Sequence, residues 1–292
     1  MEAGWAAMNR EPRTQKEYDS RQTKAAHRVL VDVAQVLAAF EDCLVLVGGW
    51  VPDLLLPDAE EQHVGSIDVD LALDAEKLKA GRYAELLGQL FNTGRYRPGT
   101  EAFQLLTDVD LGDGDAPVQV QLDFLAPKEA KLKKNRPKLL SGFRVQKADA
   151  CGNAFRAPVS IEIVGRTPRG AENRVRVRVA SVEDFLVMKA HALAGRDKPK
   201  DSYDFCYCLD HYPGGLGELA AAWRNRAAEK DVKRAIEILR EKFASPRNFG
   251  PDQVVQFFDS PDAGARAMQA RRAFELVQQL LDLIRGGDPT GR

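Results

Sequence analysis

Residues 46–70 open with Leu46-Val47-Gly48-Gly49-Trp50 and close with Gly65-Ser66-Ile67-Asp68-Val69-Asp70. Cys43 to Val47 is a continuous apolar run ending on two glycines, the mark of a buried strand that feeds a tight turn. Trp50 to Leu56 follows as a short helical turn stopped by Pro57. Val64 to Leu73 alternates and predicts a second strand. Side chains alternate across a strand, so Asp68 and Asp70 share one face while Ile67, Val69 and Leu71 share the other. A third acid fits the same face. On a strand from Val118 to Leu125, Leu122 and Phe124 point inward and leave Gln119, Gln121 and Asp123 on the polar side.

If those two strands are neighbours, three carboxylates converge. Close like charges are unstable unless they take up protons or bind cations. Neither segment contains a Lys or Arg to neutralise them. Oxygen ligands on a rigid sheet suit Mg²⁺, which keeps waters and binds substrate phosphates. Such ions activate an attacking oxygen and stabilise a departing pyrophosphate. Gly48 and Gly49 let backbone approach a phosphate closely, and the Gly65–Ser66 amides with the Ser66 hydroxyl suit terminal phosphates. Taken singly, an Asp-x-Asp on a strand is a solvated face and a Gly–Gly pair is a turn. Asp108 and Asp110, beside a Gly-rich segment, read as turn chemistry. The ordered combination is what points to a nucleotide site.

Outward from this stretch the pattern is α+β. Residues 1–23 read as a loose polar tail. A helix is expected from Lys24 to Phe40, with Val29, Val33, Val36 and Leu37 as its stripe, and another from Lys77 to Phe91. Phe103 to Val109 and Val118 to Leu125 read as a hairpin closed by Gly112 to Pro117. Val159 to Val164 and Val175 to Val179 are further strands. After Ser181 the chain turns helical, with apolar stripes at Ile236, Leu239 and Phe243 and at Leu276, Val277, Leu280, Leu281 and Ile284. The expected organisation is a tail over 1–23, a sheet domain over 24–180 and a helical domain over 181–292.

Composition excludes several classes. The chain has 292 residues, 44% apolar and 29% charged, which is ordinary globular usage. Lys and Arg number 42 against 43 Asp and Glu, so no global field marks a nucleic-acid or membrane partner. No apolar run approaches the ~18 residues of a membrane span. The first 28 residues lack the apolar core of a signal peptide. Cys43, Cys151, Cys206 and Cys208 follow no disulfide spacing, and a cytoplasmic protein with reduced thiols is expected. Cys206, Cys208 and His211 do not make a zinc site, because helical neighbours two apart face different ways and no second ligand pair follows.

Local charge is more telling. Glu41 to Glu76 holds ten acids and no base, and Glu101 to Leu125 holds six acids and no base. Ala126 to Lys147 then carries eight bases against Glu129 alone, and Arg166 to Arg178 five arginines against Glu172. The run from Lys128 to Arg144 can guide a phosphate backbone. Arg174, Arg176 and Arg178 alternate with valines and form a basic strand face. Either is equally a solvated surface, and no aromatic interleaving suggests base stacking. Lys189 falls on an apolar stripe with Val182, Leu186 and Leu193, so it either snorkels or meets an anion. Ser181 and Asp184 make a capping box at that helix start. Asp201 and Asp204 suit either catalysis or the cap and first turn of the next helix.

The glycine pair with Gly65-Ser66-Ile67-Asp68-Val69-Asp70 resembles the nucleotidyltransferase superfamily that shares the DNA polymerase β catalytic core. Ser181 to Lys189, followed by Lys200-Asp201-Ser202-Tyr203-Asp204, resembles the AbiEii/AbiGii abortive-infection toxin family. Val64 and Lys200 stand where many members carry Arg. The resemblance spans about residues 43–210. It implies a small mixed β-sheet nucleotidyltransferase core with flanking helices. It implies Mg²⁺ on Asp68, Asp70 and Asp123, with Asp123 as base for the acceptor. It implies nucleotide contacts from Gly48, Gly49, Gly65, Ser66 and Lys189, and catalytic support from Asp201 and Asp204. The implied reaction moves a nucleotide from an NTP to an acceptor, tRNA above all, in a toxin countered by a separate antitoxin. Two alternatives differ in class: an aminoglycoside- or lincosamide-type nucleotidyltransferase, against which the basic segments argue, and a catalytically silent regulatory module, against which the intact acids argue.

Overall fold

The computed structural model describes residues 11–78, 81–130 and 144–286. In chain order the strands are β1 (Leu44–Val47), β2 (Asp68–Leu73), β3 (Arg97–Pro98), β4 (Gln104–Val109), β5 (Val118–Pro127), β6 (Gln146–Ala148), β7 (Val159–Arg166) and β8 (Glu172–Val179). Among the described residues they form one mixed sheet in the order β3-β4-β5-β2-β1-β8-β7, with β6 paired to β5. β1 is apolar and buried at every position, and such a strand belongs in the middle of a covered sheet. β2 runs antiparallel to it, with Val47 opposite Asp70, while β8 runs parallel on its other side. β5 lies parallel to β2, with Asp68 opposite Gln121 and Asp70 opposite Asp123.

The helices are α1 (Ser20–Val36), α2 (Trp50–Leu55), α3 (Arg82–Asn92), α4 (Val182–Gly195), α5 (Pro199–His211), α6 (Gly215–Arg224), α7 (Lys230–Lys242), α8 (Phe249–Phe258) and α9 (Ala263–Arg285). α1 lies across the sheet against β5, β7 and β8. Its buried Asp32 accepts from Arg95 at 2.8 Å and from the Tyr96 hydroxyl at 2.7 Å, which ties the helix to the segment leading into β3. α4 leaves the sheet after β8, capped by the Ser181 hydroxyl accepting from the Asp184 N–H. α5, α6 and α7 pack on α4, and α8 and α9 pack on α5 and on each other. Buried apolar side chains from Ala25 to Ile284 form one connected core.

Several elements differ from their sequence-based bounds for local reasons. α1 begins at Ser20 rather than Lys24, because the Asp19 carboxylate accepts from the Arg21 and Gln22 N–H groups. It ends at Val36, and Ala38–Cys43 is a tighter 3₁₀ stretch. β2 begins at Asp68 rather than Val64, because Gly65 sits at φ +74° and breaks the extended run. The expected 77–91 helix begins at Arg82, with residues 79–80 outside the described set. The supposed tail is pinned over residues 11–19. Arg13 bonds Asp197 and Gln256, Lys16 meets Asp259 at 3.3 Å, and the Tyr18 ring packs on Phe257.

Phe257 is fully buried and also stacks on Tyr203 of α5 with ring centroids 4.3 Å apart. It joins the N-terminal segment, α8 and α5. Phe257→Ala is expected to lower unfolding stability by about 3–5 kcal/mol, read as a shift of the urea midpoint at unchanged slope.

Candidate active site

The site forms where the carboxyl-terminal turn of β1 meets the start of β2. Gly48 ends β1 at φ +73°, and Asp70 Oδ2 lies so close over it that any Cβ there would overlap the carboxylate. A Cβ on Gly49 would stand 2.7 Å from Lys200 Nζ and 2.8 Å from Ser66 Oγ. Close approach disfavours a side chain at both positions, and at Gly48 the positive φ disfavours it as well. The Trp50 indole N–H donates to the Asp68 carbonyl at 2.7 Å, fixing α2 against β2. The Ser66 hydroxyl donates to Asp68 Oδ1.

Asp68, Asp70 and Asp123 all line one open cavity of about 550 Å³. Asp68 and Asp70 share a strand face, and the β2–β5 register sets Asp123 directly beside Asp70. Burial first, and then the Asp68 charge, push Asp70 up to about 7. Burial and the Asp70 charge push Asp123 up to about 8, partly offset by a hydrogen bond with Gln104. Asp68 behaves oppositely. Burial acts against its charge, but Lys198 and the Ser66 hydroxyl outweigh it and hold the carboxyl below its ordinary value. Asp123 Oδ1 is buried with no hydrogen-bond partner.

The facing wall is cationic. Lys189 on α4 is 7% exposed and pairs with Asp201 Oδ1 and Asp204 Oδ2, each at 2.7 Å. Burial disfavours its charge, yet those two carboxylates raise its pKa overall. Lys200 reaches Asp204 Oδ1 at 2.7 Å, and Arg196 bonds Asp201 Oδ2 at 2.7 Å. Burial disfavours ionisation of Asp201 and Asp204 too, but the surrounding cations hold both well below the usual carboxylate range. Lys198 pairs with Glu11 of the N-terminal segment at 2.5 Å, and that acid lines the same cavity.

The structure thus brings Gly48, Gly49, Ser66, Asp68, Asp70, Asp123, Lys189 and Asp204 to one cavity. Gly65 stands behind it, its N–H given to His63 Nδ1 at 3.1 Å. Asp201 stands behind Lys189 and Arg196 rather than on the lining. Neither Asp201 nor Asp204 caps α5, whose cap position is Lys198 with Pro199 following. Sequence reasoning missed Arg196, Lys198, Glu11, Tyr18, His63 and Gln104. The alternating bases ahead of Pro199 were a signal; the others had none. Lys128 is paired to Asp149 at 2.9 Å, and Arg174 is paired to Glu162. Lys131, Lys133, Lys134, Arg136 and Lys138 of the basic run lie outside the described residues.

The three carboxylates fit Mg²⁺ in character: they offer hard oxygens, one of them buried and unpartnered. Among the described residues no three His, Cys, Asp or Glu side chains form a ready-made cage for an ion.

A mixed sheet thus sets an acidic face against buried lysines at one cavity, and the family match shows the class to be nucleotidyltransferase. Residues 28–277 match the family described as nucleotidyl transferase AbiEii toxin, Type IV TA system, and the chain belongs to that family. A crystal structure of an antigenic nucleotidyltransferase-like protein from Paracoccidioides brasiliensis is also similar. It shares 16% identity at a TM-score of 0.43, over 85% of this chain and 94% of that chain. No curated protein matches the sequence. Among the described residues no helix is long and apolar enough to cross a membrane.

Asp70 and Asp123 keep their protons in the folded chain at pH values where an unfolded Asp, with a pKa of about 3.9, has lost them. The folded state therefore binds more protons between about pH 4 and about pH 8, and stability falls as pH rises through that window. Asp123→Asn removes one titrating partner. Urea unfolding in EDTA is expected to show this variant gaining on wild type between about pH 5 and about pH 8, by about 1 kcal/mol or more.

Proposed function

We propose that this protein transfers a nucleoside monophosphate from an NTP to an acceptor hydroxyl, with tRNA as acceptor and Mg²⁺ as cofactor. One observation supports the reading above the rest: an acidic sheet face and a buried lysine pair line the two walls of a single cavity. A triphosphate needs both, cations for its charge and carboxylates for the metal that accompanies it. Asp68 and Asp70 are the metal ligands, with Asp123 as the third. Mg²⁺ bound there supplies charge neutralisation for the carboxylates, the triphosphate and the departing pyrophosphate. Gly49 and Ser66 approach the phosphates, and Lys189 and Lys200 hold their charge. Asp201 and Asp204 keep those lysines in place through the ion pairs described above.

The acceptor oxygen bonds to the α-phosphorus, the bond from that phosphorus to the β-phosphate oxygen breaks, and pyrophosphate leaves. Asp123, which a bound cation would keep ionised, would take the acceptor's proton. The long basic run of the sequence favours a polyanionic acceptor over a cationic drug. Membership of a type IV toxin–antitoxin family supports a toxin role with a cognate antitoxin protein as partner.

Incubation with labelled NTPs, Mg²⁺ and total tRNA is expected to label tRNA. EDTA and Asp70→Asn should each reduce labelling at least about a thousandfold, since a lost metal ligand removes several kcal/mol of transition-state stabilisation. Unchanged labelling by Asp70→Asn would refute the metal assignment. Labelling of a small molecule and not of tRNA would refute the acceptor.

A further inference from the structure

The Gly65–Ser66 loop and the helix that carries Lys200 belong to distant parts of the chain; the Tyr207 hydroxyl donates to the Glu61 carbonyl at 2.7 Å, and His63 makes the link nearest the cavity. His63 and Asp204 are 141 residues apart, and His63 Nε2 lies 2.9 Å from Asp204 Oδ1. On its other side the ring accepts the Gly65 N–H through Nδ1 at 3.1 Å. A backbone N–H can only donate, so Nδ1 carries no proton and the single ring proton sits on Nε2, donated to Asp204. Burial and the nearby Lys200 charge keep the ring neutral, holding its pKa down to about 4. The side chain is 1% exposed, stacks on Tyr203 at 5.3 Å and meets Tyr207 edge-on at 4.9 Å. Asp204 in turn receives Lys200 and Lys189, each at 2.7 Å.

We propose that His63 is a positioning residue, a tether that sets the Gly65–Ser66 backbone at a fixed distance from the Lys189–Lys200 pair. Both then grip one triphosphate without first having to be ordered. This rests on the nucleotidyl-transfer reading. The ring does not itself line the cavity and bonds no carboxylate of the acidic face, so its action is through Gly65 and Asp204. It suits the task because both nitrogens are used and the aromatic neighbours fix its rotation.

Three variants separate the two hydrogen bonds. His63→Phe keeps the ring packing and loses both. His63→Asn keeps an acceptor near the Nδ1 position, and His63→Gln keeps a donor near the Nε2 position. Binding of a non-hydrolysable NTP with Mg²⁺ to the full chain is measured at a temperature where every variant is folded. His63→Phe is expected to weaken binding roughly tenfold to a hundredfold, the usual consequence of misplacing a site by about an ångström. Asn and Gln should each recover part of it. Amide exchange without nucleotide should show Gly65 losing protection in the Phe and Gln variants and keeping it in Asn. Wild-type affinity in His63→Phe, or unchanged Gly65 exchange, would overturn the tether. If His63→Phe fails to fold, the Asn and Gln variants carry both readouts. Wild-type protein that binds no NTP analogue would refute the nucleotidyl-transfer reading, while the exchange pattern still decides whether His63 holds the loop.

Discussion

Charge balance among buried side chains is the constraint on which this structure depends. Asp68, Asp70, Asp123, Asp201 and Asp204 are gathered with Lys189, Lys198, Lys200 and Arg196 in a region where several of the side chains are almost fully covered. An isolated buried charge is prohibitive, and removing one partner of a buried pair is strongly destabilising. The helical half supplies cations that the sheet half lacks. Glu41 to Glu76, which carries the β1–β2 part of the site, holds no Lys or Arg at all. The two halves share one apolar core and one electrostatic ledger at the cavity between them.

The balance is uneven by position. Asp201 and Asp204 are fully compensated and stay ionised, which makes them anchors for the lysines. Asp70 and Asp123 are under-compensated and take up protons instead. That asymmetry separates acids that hold the framework from acids left wanting a cation. The orphaned Oδ1 of Asp123 is the local expression of the same shortage. On the opposite side Glu11 meets Lys198, so the N-terminal segment contributes an anion where the sheet does not.

Much of the sheet was legible because its signals are local. Alternation puts Asp68 and Asp70 on one face, and an unbroken apolar run marks β1 as a central strand. The Ser181 cap was equally plain, since it needs only two residues three apart. Boundaries were harder. Gly65 at positive φ cut β2 short, and the alternation of Val64–Leu73 outweighed the glycine within it in setting the expected start. The roles of Asp201 and Asp204 stayed ambiguous because first-turn acids and buried ion-pair partners look alike until their neighbours are known. His63 left no trace, since a lone histidine gains meaning only from a partner 141 residues away. The N-terminal segment read as a tail because polar residues look loose unless their partners, here Asp197, Gln256 and Asp259, are seen.

The most direct test of the central claim is anomalous scattering from crystals of the full chain soaked with Mn²⁺ and a non-hydrolysable NTP. A Mn²⁺ peak is expected in direct contact with carboxylate oxygens of Asp68 and Asp70, on the Asp123 side of the cavity, with the triphosphate reaching toward Lys189 and Lys200. A peak elsewhere, or a bound nucleotide with no ion on those acids, would contradict it.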